Sequence, residues 1–279
     1  MWQLTGIELF KIFRKPRTYI AFAAITAIIV LVQLALYIDG DLYLDFMMRS
    51  INASFIVEGN KLNGYFVFFI ILQTLLMHVP LLIALVAGDM IAGEANMGTL
   101  RLIASKPVSR TSLLLSKFLA TSIYTIMLLT FMALLGLGGS ILLFGTSDLM
   151  VFKSDMLLLI DRNDILWRYG FAYCFAGLAM ITVAALAFLF SVFAENSIGP
   201  IIASMSVIIL FTILTTMDIP FFNNLKPYLF TNHMLNWKGF FDRPVDRAEV
   251  LKSIAVLMGH IVFFVSLAIY SFRRKDILS

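Results

Sequence analysis

Charge is scarce in this chain. Only 14% of its 279 residues are Asp, Glu, Lys or Arg, against about 25% in an ordinary soluble domain. No Asp or Glu falls in the middle of any long apolar run. That distribution argues against a water-soluble globular fold. It also argues against an ion-coupled carrier, which needs buried ionisable groups to hold its driving ion. Cysteine is almost missing. The single Cys174 cannot form an internal disulfide and, inside an apolar run, reads as a small packing residue.

Catalytic signatures are absent as well. There is no G-x-x-x-x-G-K-[ST], so this chain does not hold ATP through a P-loop. There is no H-E-x-x-H, no G-x-S-x-G and no zinc-like cysteine pair. His78, His233 and His260 lie far apart in sequence. His78 and His260 could meet between spans, where a hydrogen-bonded packing role is favoured over a metal site. Asp161-Arg162-Asn163-Asp164 hints at a calcium loop but lacks the glycine and the distal Glu, and reads as a solvated turn. No metal, cofactor or enzymatic activity is expected in this chain.

What is present is apolar. Hydrophobic residues make up 61% of the chain, and mean hydropathy is +0.94. Runs of about 20 apolar residues recur, each long enough to cross a bilayer. The pattern predicts an all-α, polytopic membrane protein with six spans in one domain, 1–279: about Tyr19–Ile38, Tyr65–Ala87 with Pro80 inside, Leu113–Phe144, Tyr169–Phe193, Ile198–Met217 and Ile254–Phe272. The third run is longer than a bilayer needs, which places Lys117 at the membrane surface. Gly136, Gly138, Gly139 and Ser140 near its far end suit close helix approach.

Residues 1–17 read as an amphipathic interfacial helix. Trp2, Leu9, Phe10, Ile12 and Phe13 form one face, and Gln3, Glu8, Lys11, Arg14 and Lys15 the other. The charged flank is long and no A-x-A-like site follows, which argues against a signal peptide. Six spans put both termini on one side. Arg14-Lys15-Arg17 and Arg273-Arg274-Lys275 abut span ends, so that side is the cytoplasm. The net charge of +4 therefore reflects topology, and no nucleic-acid partner is implied.

Between the second and third runs lies Gly88–Lys117, GDMIAGEANMGTLRLIASKPVSRTSLLLSK. Thr99 can cap a short turn carrying Leu100 to Ile103, Pro107 ends it, and Ser109 can cap the helix that follows. Gly93-Glu94, Gly98-Thr99-Leu100-Arg101, Lys106-Pro107, Ser109-Arg110 and Lys117 stand as in permease subunits of ABC-2 type transporters, which this segment resembles. The family often has an acidic residue three positions after the serine, completing a capping box. Here that position is Ser112.

The resemblance implies a cytoplasmic coupling helix within 88–117 that docks on a separate ATP-binding subunit. It makes Gly93, Glu94, Gly98, Thr99, Leu100, Arg101, Pro107, Ser109, Arg110 and Lys117 the ATPase-coupling residues, with Glu94, Thr99, Arg101 and Arg110 transmitting the motion. ATP and Mg would be bound by that partner. A second permease chain, identical or related, would complete an export pathway in the cell's inner or plasma membrane. Gln73, Thr74 and His78 are candidates for lining the pathway, with helix–helix hydrogen bonding as the plainer role. In 218–252 the aromatics Phe221, Phe222, Tyr228 and Phe230 are candidates for an outer gate, with interfacial anchoring as the alternative. Two other functions fit the composition: a carrier or channel that needs no ATPase, and a non-transporting membrane anchor for ATPase-driven mechanical work.

Overall fold

The computed structural model describes residues 1–48, 62–99, 108–152, 157–217 and 219–275. Its elements follow the apolar runs. Helix α1 (Trp2–Arg14) turns at Lys15 into α2 (Pro16–Met48), α3 spans Gly64–Ala87 and α4 is Asp89–Asn96. After the undescribed 100–107 come α5 (Arg110–Phe144), strands β1 (Leu149–Phe152) and β2 (Leu157–Ile160), α6 (Arg162–Phe193) and α7 (Ile198–Thr216). Short helices α8 (Pro220–Asn223) and α9 (Phe230–Met234), with 3₁₀ turns at Lys226–Tyr228 and Leu235–Phe241, lead to α10 (Arg247–Arg274).

Five of these helices, α2, α5, α6, α7 and α10, are long and apolar enough to cross a membrane. Helix α3 is bent by 53° between Gly64–Leu75 and His78–Ala87, and makes a sixth if its two halves are one span. The bend falls just before Pro80, which cannot donate to the carbonyl four residues back. The chain is a multi-pass membrane protein built from helices.

Helix α6 is the axis of the bundle. In its most apolar stretch 78% of residues are buried, against 17–28% in α2, α5, α7 and α10. Small residues account for this. Ala172, Ala179, Ala184, Ala185 and Ala187 let α3, α5, α7 and α10 pack against it from several sides. The outer helices turn Leu31, Leu34, Leu142, Ile202, Ile209 and Phe263 outward, where lipid solvates them.

Several expectations are corrected. The segment before α6 adds strands to the expected all-helical plan: β1 and β2 form an antiparallel hairpin, Leu149 opposite Ile160. Asn63 pins it to the bundle, accepting from the N–H groups of Tyr65 and Phe66 at the start of α3 while donating to the Asp148 carbonyl (2.9 Å). Asp161-Arg162-Asn163-Asp164 is a helix start, in which Asp161 accepts from Asn163 N–H (2.8 Å). Cys174 is exposed on the outside of α6 rather than packed. The glycines near the end of α5 do serve close approach. Gln33 of α2 donates to the Gly136 carbonyl (3.2 Å) and to Ser140 Oγ (3.1 Å), and a Cβ at Gly139 would meet its amide at 2.8 Å.

Candidate functional site: an ion cluster around α4

Asp89–Asn96 is helix, buried as far as Glu94, rather than exposed loop. Asp89, Met90, Ile91, Ala92, Gly93 and Glu94 are all buried. The helix begins one residue after α3 ends, and Ser191 of α6 holds that junction. Its hydroxyl accepts from the N–H groups of Ile91 (3.0 Å) and Ala92 (2.9 Å) and donates to the Gly88 carbonyl (2.7 Å). Two backbone donors that a helix start leaves open are thereby satisfied from a neighbouring helix.

Burying α4 forces its two acids to find cations. Asp89, in the first turn where the helix dipole favours negative charge, accepts from Lys15 (2.7 Å), from Arg17 (2.6 Å) and from the Ser197 hydroxyl in the α6–α7 link. A Cβ at Gly93 would overlap the Asp89 carboxylate. Gly93 is therefore needed for the room it leaves rather than for flexibility. Glu94, one turn on, meets Lys117 of α5 (2.7 Å) and Lys11 of α1 (3.1 Å).

Glu8 completes the cluster. It lies 2.7 Å from Lys117 and 2.7 Å from Lys11. Lys117 is 1% exposed. Two carboxylates make burial inside the protein tolerable for the ammonium. The polar face assigned to α1 is corrected. Glu8 points inward with Thr5 and Ile12, whereas Trp2, Ile7 and Phe10 face outward. The outward apolar side suits an interfacial helix, and the inward side carries the charge that binds α4 and α5.

Burial opposes ionisation of Glu8, yet Lys117 and Lys11 outweigh it and hold its carboxyl below the ordinary 4.5. Burial likewise acts against the Lys11 ammonium, but Glu8 and Glu94 hold it above 10.5. Both shifts favour the ion-paired state.

The remaining coupling candidates lie around this cluster. Gly98 has the left-handed φ of +69° that glycine tolerates. Thr99 donates to the Glu94 carbonyl (3.2 Å) and so closes α4; the turn it was expected to cap lies outside the described residues, as do Leu100, Arg101 and Pro107. Ser109 caps α5, accepting from Ser112 N–H (3.1 Å) while its hydroxyl donates to Ser112 Oγ (2.8 Å). Ser112 thus gives a side-chain partner where an acidic residue would complete the box. Arg110 donates to the carbonyls of Arg273 (3.1 Å) and Lys275 (2.9 Å). Lys275 in turn donates to the Val192 carbonyl near the end of α6 (2.8 Å), where a cation complements the helix dipole. The end of α10 is therefore tied to the starts and ends of its neighbours on this same face.

Sequence reasoning missed Glu8, Lys11, Lys15, Arg17, Asp89 and Ser197 as parts of one site. The available signal was stoichiometric. Two acids in a short helix between apolar spans, with four cations within the first 17 residues, point to pairing across the sequence.

The other candidates are dispersed. Thr74 donates to the Ile70 carbonyl (3.1 Å), and His78 Nδ1 lies 2.9 Å from the Thr74 carbonyl, all within α3. Gln73 accepts from Lys238 (3.3 Å) and with Thr74 lines a recess of about 340 Å³ beside Tyr43 and Phe152. His260 contacts its own helix through Val256 and the rings of Phe230 and Phe264. Of the aromatic set, Phe221 and Tyr228 are exposed and Phe222 is half-buried, but Phe230 is fully buried against α7 and α10. Among the described residues no group of His, Cys, Asp and Glu could hold a metal ion.

The chain is 25% identical over 207 residues to the "Uncharacterized protein YhcI" of Bacillus subtilis (strain 168), a match covering 69% of this chain. It spans only 63% of that relative's own length. Residues 24–278 match the model of a family described as "Protein of unknown function (DUF2705)", and the chain belongs to that family.

Proposed function

We propose that this chain is the membrane subunit of an ATP-driven exporter of the ABC-2 type, working as a pair with itself or a related chain on two separate ATPase subunits. One observation carries the reading. The segment with the coupling pattern, Gly88–Lys117, is fastened at both ends to α1 and α5 by the Glu8–Lys11–Glu94–Lys117 cluster. A push delivered there by a cytoplasmic ATPase would move α1, α4 and α5 together instead of being lost in a loose loop. Glu94 would then act by transmitting displacement to α1, and not by touching the ATPase itself.

Topology supports the same reading. The cluster and the Arg110 bonds set α1, α4, the start of α5 and the end of α10 on one face. Entry and exit on one face require an even number of crossings, so the bent α3 counts as the sixth span. The basic flanks Arg14-Lys15-Arg17 and Arg273-Arg274-Lys275 make that face cytoplasmic, in the inner or plasma membrane. ATP and Mg would belong to the partner.

The test is purification of the intact complex from its own host through a tag on this chain. A co-purifying P-loop ATPase whose hydrolysis drives solute movement in reconstituted vesicles is the expected result. Solute movement that persists without ATP, or no associated ATPase, would overturn it. Arg101→Ala should then uncouple hydrolysis from transport. A second reading, an anchor for ATPase-driven mechanical work, is favoured by one observation. The span hydroxyls of Thr74, Thr125, Thr182, Ser204 and Thr212 bond back to carbonyls of their own helices, leaving few polar groups for a solute within one chain. ATPase binding without solute movement would select it.

A further inference from the structure

Beside α6 the bundle is incompletely filled. A cleft of about 270 Å³ runs between α3, α5 and α6, lined by Phe68, Leu72, Met132, Leu137, Tyr173 and Trp237 among others. Its lining on α6 runs from Leu166 to Met180, about 21 Å at 1.5 Å per residue. One leaflet of hydrocarbon is about 15 Å deep, half of a ~30 Å core. The cleft is therefore long enough to take an acyl chain across one leaflet, and it is apolar along its length. It opens outward beside Gly170, where an added Cβ would meet nothing within 4 Å, and beside exposed Leu166.

Two polar features mark its hairpin end. Trp237 is 1% exposed, and its indole N–H has no hydrogen-bond partner. A buried donor left unmatched is costly. Trp237 packs on Phe69 and Phe241, at the level of Tyr169. Arg162 stands one turn beyond Leu166 on the same helical stripe as Gly170 and Tyr173. It is exposed, and its guanidinium forms no ion pair among the described residues. From the membrane centre outward, the order is an apolar slot, a buried N–H donor and a free cation.

We infer that this cleft holds one acyl chain of a bilayer phospholipid. The chain fills the slot, an ester carbonyl accepts from the Trp237 indole, and the phosphate lies within reach of Arg162. A second protein helix would fill the slot, but its backbone carbonyls are already bonded within the helix and would leave the Trp237 N–H without an acceptor. The site depends only on the spans crossing a membrane and is independent of any coupling to an ATPase.

The chain has three tryptophans, so Trp2→Phe with Trp167→Phe leaves Trp237 as the sole reporter. The full-length protein is reconstituted into phosphatidylcholine vesicles with dibrominated acyl chains, and its emission is compared with that in unbrominated vesicles. Bromine quenches on near contact, and so buried a tryptophan is reached only by a chain inside the cleft. Quenching of twofold or more is expected. Gly170→Leu, which projects into open space, should at least halve that quenching with melting unchanged, and Arg162→Gln should reduce phospholipid retained in native mass spectrometry. No quenching of Trp237 would overturn the site. So would quenching unchanged by Gly170→Leu, which would place the chain elsewhere. Unquenched Trp237 together with a dimer cross-linked through the exposed Cys174 would assign the cleft to a second copy of the chain.

Discussion

Glu8, Glu94 and Lys117 close one end of this bundle with ion pairs, while Tyr65, Tyr169, Trp237 and Phe241 close the other with rings. At the first end α1, α4 and α5 meet through charge, and the Lys117 ammonium is buried between two carboxylates. At the second, Tyr169 stacks on Tyr65 at 6.4 Å, meets Phe241 edge-on at 4.9 Å and donates its hydroxyl to the Tyr65 carbonyl (2.7 Å). Arg168 also works there, buried and shared between Asp164 and the carbonyls of Phe240 and Asp242. Charge pairs are geometrically exact and depend on pH and salt. Aromatic packing is tolerant of direction and nearly indifferent to both. A bundle with one end of each kind can be loosened at one end while the other holds.

The largest effects should come from breaking the buried pairs. Lys117→Ala leaves Glu8 and Glu94 without their shared buried cation and should cost about 3–5 kcal/mol, read as a lowered melting temperature in detergent. The combined change Lys117→Met, Glu8→Leu and Glu94→Leu should recover most of that loss, since apolar replacement of a whole buried ion group is often neutral or stabilising. If the combined variant is as unstable as the single one, the cluster is not the source of the cost.

Phe241→Ala should also cost about 3 kcal/mol or more, from the lost burial and the cavity left behind. The two variants separate in their surroundings. The Lys117→Ala defect should depend on pH, and the Phe241→Ala defect should not.

Acid should act on both ends, since Trp167 and Arg168 hold the Asp164 carboxyl low at the ringed end, but there the ring packing remains when the carboxyl is protonated. The Glu8 carboxyl is held below 4.5, so its contribution is complete above that value and is lost as pH falls through the lowered one. The Lys11 ammonium is held above 10.5, so its contribution is complete below that value and is lost as pH rises through the raised one. Hydrogen exchange should show Trp2–Arg14 gaining exchange as pH falls below the ordinary 4.5 and through the lowered Glu8 value, with the hairpin and Tyr65–Phe69 still protected. Release of both ends together would remove the distinction.

Smaller shifts should come from the edges. Ser191→Ala unsatisfies two N–H groups at the start of α4 and should cost about 1–3 kcal/mol. Lys11→Ala removes only the half-exposed cation and should cost about 1 kcal/mol or less, yet under the proposed coupling it should weaken transmission more than its stability cost suggests.

The uneven legibility of the two ends has a physical cause. Hydropathy locates spans because a bilayer rejects charge along a length of about 20 residues, whatever the neighbours. Gly136, Gly139, Ser109 and Asn63 act within a turn or against one adjacent helix. Three of these, the helix-cap role of Ser109 and the close approach at Gly136 and Gly139, were readable from their residue types. The β-hairpin was not, because four-residue strands beside a helix start carry too little periodicity to stand apart from a loop. Glu8 could not be assigned to the inside of α1, since its position on the helix fits a solvated face until Lys117 arrives from over 100 residues away.

The sequence alone determined that this is a helical, multi-pass membrane protein, where its spans lie, and that Gly88–Lys117 interrupts them with an unusual set of polar residues. Tertiary structure alone decided that Asp89, Glu94 and Lys117 are buried partners of α1, that α6 is the axis, and that a cleft is left beside it. Transfer into a bilayer is a sum over single residues and can be read along a chain. Pairing of buried charges depends on which residues meet, and no local pattern records that.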